Sequence, residues 1–184
     1  MKKVLVFNLS LCIALMVLVG CGKKPAQTTD TTETTETTET TDPAQSTPTD
    51  ASRYIDITGL TPAGAELSLS SLVGQTDFVL VDFWASWCGP CRRFVPVLKE
   101  IYASQPAGHL QILSCSVDQD IMAWQVALNE EQMPWPQMRE DDAHPCADKY
   151  HVQFIPHTVL IDRDGKIVGV NLEEPEIEEI LLGE

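Results

Sequence analysis

The sequence predicts an α/β domain, a mixed sheet covered by helices on both faces. Apolar runs of buried-strand type, Phe78–Trp84 and Leu110–Val117, are each followed by a stretch of helical periodicity. Near the end of the chain two further strand patterns, His157–Asp162 and Lys166–Val170, meet at Arg163-Asp-Gly165, a hairpin turn. Strand–helix–strand followed by a hairpin and a closing helix is the pattern of a mixed, doubly covered sheet.

Taken in order, Tyr54–Ile57 and Ala65–Leu69 alternate apolar and polar residues around Pro62 and Gly64, which predicts an edge hairpin. Phe78–Trp84 is a central strand. The segment 91–104 carries Phe94, Val95, Val97, Leu98 and Ile101 on one stripe, a helix that Pro96 interrupts and should kink. Leu110–Val117 is a second central strand. Ile121–Glu131 is a helix with Trp124 and Leu128 on one face, 146–151 a short helix, and 176–182 an amphipathic closing helix.

The chain has 184 residues and begins with Lys2 and Lys3 ahead of an apolar stretch, Val4–Val19, that runs into Leu18-Val19-Gly20-Cys21. A charged start and a short apolar core describe a secretory signal over residues 1–20. It is shorter than the roughly 20 apolar residues of a membrane span. The small residue before Cys21 resembles a bacterial lipobox, which implies cleavage there and acylation of Cys21, an anchor in a lipid bilayer. Residues 21–50 then run through Thr31-Thr-Glu-Thr-Thr-Glu-Thr-Thr-Glu39 and three prolines with almost nothing to bury. That composition predicts a disordered tether. Residues 51–184 suit one domain.

Charge excludes some partners. Twelve basic side chains face 27 acidic ones, and losing Lys2 and Lys3 takes the formal charge from −15 to −17. Nucleic acid and anionic lipid surfaces are therefore not expected as partners.

The chemistry lies in Trp87-Cys88-Gly89-Pro90-Cys91. Two cysteines three apart fit the first turn of a helix, where free N–H groups and the helix dipole favour a thiolate. Cys88 is expected exposed at the helix start as the attacking thiolate, and Cys91 buried as the resolving thiol. Zinc would normally need a second ligand pair, and Cys115 and Cys146 offer no second CxxC, so no metal is expected. Asp82 lies among apolar strand residues. Burial raises a carboxyl pKa, which suits Asp82 to take the proton from Cys91. Cys115 and Cys146 make an even leftover pair, either a structural disulfide or two buried free thiols. Trp124, Met133 and Trp135 form a small core of their own or line a groove for a partner.

With the strand before it and the helix after it, the pentapeptide resembles the active site of the thioredoxin superfamily, over nearly all of residues 54–184. Asp82 falls where thioredoxins keep a buried carboxylate, Trp84 and Trp87 match the two active-site tryptophans, and Pro96 matches the proline that kinks the helix. Ile155-Pro156 matches the cis-proline dipeptide facing the disulfide. The insertion at about 119–149, the leading hairpin and Leu160-Ile-Asp-Arg-Asp-Gly165 look like the TlpA/ResA branch of membrane-tethered extracytoplasmic thioredoxins. His157 departs from the pattern, standing where threonine is usual.

The resemblance implies a thioredoxin-like fold. It also implies a thiol–disulfide oxidoreductase of the cell envelope that reduces exported protein disulfides through Cys88 and Cys91 and draws electrons from a membrane thiol reductase. Trp87, Gly89, Pro90 and Ile155 would contact substrate, and no cofactor beyond the dithiol is implied. A disulfide-forming oxidant and a tethered binding module without turnover are the competing readings. Ala85, where a peroxiredoxin needs threonine or serine, speaks against that enzyme class.

Overall fold

The computed structural model describes residues 53–183. The signal segment, Cys21 and the tether lie outside the described residues. Seven strands form one mixed sheet: β1 (Thr58–Leu60), β2 (Glu66–Ser68), β3 (Phe78–Trp84), β4 (Leu110–Ser116), β5 (Gln137–Arg139), β6 (His157–Asp162) and β7 (Ile167–Val170). Their order across the sheet is β2-β1-β5-β4-β3-β6-β7. β3 runs parallel to β4 and antiparallel to β6, so it is central, and β4 runs parallel to β5. Four helices complete the domain: α1 (Gly89–Ser104), α2 (Ile121–Glu131), α3 (Cys146–Lys149) and α4 (Glu174–Leu182).

Alternation along β3 divides the core between two faces. Val79, Val81 and Phe83 point one way, into a cluster with Leu113, Cys115, Met138 and Cys146. Leu80 points the other way, against Leu98 and Ile101 of α1 and Ile177 and Leu181 of α4. Trp84 continues that second face into a smaller cluster with Cys88, Cys91 and, from α2, Trp124 and Ala127. The dithiol thus sits at the end of β3, where its strand hands over to α1.

Four sequence expectations shift. The hairpin is at the sheet edge, but its first strand is Thr58–Leu60 rather than Tyr54–Ile57. Ile57 is fully buried all the same, because its carbonyl accepts from Leu69 N and turns the segment into the core. The insertion carries a strand, β5, that bridges β4 and β1. And α4 starts at Glu174, because Glu173 and Glu176 form a reciprocal capping box with Pro175 in the first turn. Pro96 lies inside an unbroken α1, leaving the Arg92 carbonyl without its partner amide.

Among the described residues no helix is long and apolar enough to cross a membrane, and no group of three or more His, Cys, Asp or Glu side chains could hold a metal ion.

Candidate active site

Cys88 is the N-cap of α1, with Pro90 in the first turn. Cys88 and Cys91 are joined as a disulfide. The Cys91 backbone N–H points at Cys88 Sγ across 3.1 Å. In the reduced protein that N–H and the free amides of the first turn favour Cys88 as thiolate. The expectation of an exposed Cys88 is corrected: it is only 4% exposed, and Cys91 3%. Cys88 Sγ is turned inward, to Cys91 and to the Ile155 carbonyl oxygen at 3.8 Å. Trp87, at 69% exposed, takes the outer position instead.

The Ile155–Pro156 peptide bond is cis. The Ile155 carbonyl lies over Cys88, while Gly89 and Pro90 are open to solvent beside it. Phe154 is largely exposed and borders a cleft of about 300 Å³ with Phe94, Pro156 and Asn171. Trp87 and Phe154 are both open to solvent on segments that flank the dithiol, a surface suited to an extended polypeptide. The loop that presents Trp87 is pinned by Asp118. Its carboxylate accepts from Ser86 N at 2.8 Å, Ser86 Oγ at 2.6 Å and Ser116 Oγ at 2.7 Å. Asp118 gave no signal in the sequence, because the Ser86 loop it pins lies 32 residues away.

Asp82 is 2% exposed and lies between Leu80 and Trp84 on the face that α1 covers. Burial pushes its carboxyl up to about 7, against the opposing effect of a hydrogen bond from Ser114 Oγ at 3.0 Å. A carboxyl poised near neutral pH is suited to accept and return a proton.

His157 does not face the dithiol. It pairs with Phe83 in the β3–β6 register and so shares the opposite face, where its ring packs edge-on to Phe83 and Phe154. Burial lowers its pKa. Cys115 and Cys146 are free, buried thiols in one cluster rather than a disulfide. Cys146 Sγ lies 3.2 Å from the Thr58 carbonyl, and burial, followed by the neighbouring Cys146, pushes Cys115 well above the ordinary thiol range.

The insertion tryptophans pack into two different clusters of the domain rather than forming a core of their own. Trp124 packs in the cluster that holds the dithiol, and Trp135 packs on α1, edge-on to Tyr102.

A thioredoxin-like family model matches residues 75–167, which takes in the dithiol, Asp82 and Pro156. The chain belongs to the thioredoxin-like family. Among curated relatives, the tryparedoxin of Trypanosoma brucei brucei is 33% identical over 127 residues, covering 66% of this chain and 85% of the relative. The thiol-disulfide oxidoreductase ResA of Bacillus anthracis is 29% identical over 105 residues, covering 57% of this chain. The chain spans 59% of the length of that relative. Of solved structures, the thioredoxin domain of a thiol-disulfide oxidoreductase from Bacteroides vulgatus superposes with a TM-score of 0.62 at 30% identity, covering 71% of this chain and 96% of that one. A thiol:disulfide interchange protein from Bacteroides sp. gives 0.64 at 28%, covering 72% and 87%.

Proposed function

We propose that the chain is a lipid-anchored, extracytoplasmic thiol–disulfide oxidoreductase that reduces disulfides of exported proteins. The observation that carries this reading is the stacking of three elements in one thioredoxin-like site: Cys88 capping α1, the Ile155 carbonyl above it, and buried Asp82 on the face below. The relatives named as thiol-disulfide oxidoreductases support the reaction class. Cys21 and the tether support the anchoring.

In the reduced protein the Cys88 thiolate attacks one sulfur of a substrate disulfide. A mixed disulfide forms, and the first substrate sulfur leaves as a thiolate. Cys91 gives its proton to Asp82 and attacks Cys88 Sγ, releasing the second substrate sulfur, which takes up a proton. The substrate has gained two electrons and the chain holds the Cys88–Cys91 disulfide. A membrane thiol reductase returns it to the dithiol by the same exchange, with electrons from its own cysteines. No cofactor beyond the dithiol takes part.

Replacing Cys91 by serine should stop the second step and leave exported proteins joined to Cys88. Non-reducing gels and mass spectrometry of cells carrying Cys91→Ser are expected to show such adducts, lost when Cys88 is also changed to serine. Cells in which Cys91→Ser traps nothing would overturn the reading in favour of a binding module.

A further inference from the structure

Three tryptophans are buried near the site, and they differ in one respect. The indole N–H groups of Trp84 and Trp124 have no hydrogen-bond partner. That of Trp135 donates to Ser114 Oγ at 2.9 Å. Trp135 is 4% exposed and Ser114 fully buried. The same segment also grips the Ser114 backbone, whose N–H donates to the Pro136 carbonyl at 3.2 Å.

We propose that Trp135 and Ser114 form a one-way hydrogen-bond relay that holds Asp82 ready to accept a proton beneath the dithiol, a positioning role that rests on the oxidoreductase reading above. An indole N–H only donates, so Ser114 Oγ receives that bond with a lone pair. Its single proton is then free for a different acceptor. The carboxylate Oδ2 of Asp82 stands at 3.0 Å, whereas the alternative, Met133 Sδ, is a weak acceptor at 4.0 Å. The relay therefore has a direction: Trp135 donates to Ser114, and Ser114 donates to Asp82. A hydrogen bond given to the charged form favours that form. Without Trp135 the Ser114 hydroxyl could turn and accept from protonated Asp82, which favours the wrong state.

No second side chain bonds to Asp82 among the described residues. On β6, Thr158 pairs with Asp82 and its hydroxyl has no partner. Both backbone groups of Thr158 are engaged by Asn171, so the Asp82–Thr158 pair is of the closely spaced, non-hydrogen-bonded kind. From the start of α1 the groups nearby are Cys88 and Cys91, which do not titrate while joined as a disulfide. Arg92 of that helix is held by Glu130 and Glu131, and Lys99 by the Glu131 carbonyl. Cys115 of β4 lies on the opposite face. Ser114 is the one side-chain donor to Asp82 among the described residues.

The test measures Asp82 directly. Carbon-13 NMR of the aspartate carboxyls, followed from pH 4 to 10 on the oxidised protein, gives the Asp82 titration without any turnover. Ser114→Ala should raise its midpoint by about one unit, and Trp135→Phe by about half a unit in the same direction. In disulfide-exchange assays the pH profile should move with it, costing about five-fold in rate at pH 7 for Ser114→Ala. Trp135→Phe keeps an aromatic ring on Tyr102. A folded Trp135→Phe whose Asp82 titrates at the parent's pH would overturn the relay, as would a downward shift in Ser114→Ala. A parent protein without exchange activity would sink the oxidoreductase reading, while the carboxyl titration would still decide the relay.

Discussion

Burial of the Asp82 carboxyl costs the fold stability once the group ionises. Its carboxyl titrates at about 7 in the folded chain and at 3.8 when unburied. A raised folded value means the native state holds a proton that the unfolded state has released. That stability is complete below pH 3.8 and is lost as pH rises through 7. The full difference is on the order of 4 kcal/mol. Asp82→Asn is therefore expected to make the domain more stable at pH 8 than the parent, by denaturant unfolding, and to match it more closely at pH 4. The same substitution should slow disulfide exchange near neutral pH, since the proton acceptor for Cys91 is gone. A stabilised but slower variant is the signature of a catalytic carboxyl; unchanged exchange would remove Asp82 from the reaction. Burial of Asp82 was legible from the apolar residues around it. Ser114 and Trp135 were not, because what links them is the β3–β4 register and the path of the insertion. The inward turn of Cys88 was equally hidden: its sulfur is bonded to Cys91 and covered by the Ile155 carbonyl, 67 residues away.

At the level of elements, β3, α2 and β6 have the bounds their periodicity predicts. Each has a face that must be buried, and the spacing of apolar residues shows it. β5 escaped because Gln137-Met-Arg139 is too short to carry a period; it is a strand only through its pairing with β4 and β1. α4 offers a test of its own. Its last turn is tied to the sheet by His109, whose Nδ1 faces Asp77 at 2.9 Å and whose Nε2 faces the Leu181 carbonyl at 2.8 Å. With acceptors at both nitrogens, the charged ring is favoured and its pKa is raised, by Asp77 first. Such a group stabilises fully below the unfolded value of 6.5, and the effect is lost as pH rises through the folded one. His109→Gln should therefore destabilise the domain more at pH 5.5 than at pH 8.5, by denaturant unfolding. An equal effect at both would mean that His109 acts by packing on Phe78 alone.

Across the whole molecule, the fold was legible because the markers of the thioredoxin resemblance are spread along the chain and the sheet gathers them. β3 brings Asp82 beneath α1, and the turn into β6 brings Ile155 and Pro156 above it. Among the described residues the two other cysteines, Cys115 and Cys146, lie on the far face and take no part in that site. Unfolding the oxidised protein without reductant, in the presence of iodoacetamide, should leave the peptides of Cys115 and Cys146 alkylated and those of Cys88 and Cys91 unmodified. Unmodified Cys115 and Cys146 would show that they pair after all. The central claim is that the Cys88–Cys91 pair exchanges disulfides with protein substrates. Its most direct test is insulin reduction with dithiothreitol as electron donor. The account predicts that the parent chain accelerates precipitation of the insulin B chain and that Cys88→Ser abolishes the acceleration. A parent chain no faster than dithiothreitol alone would contradict it.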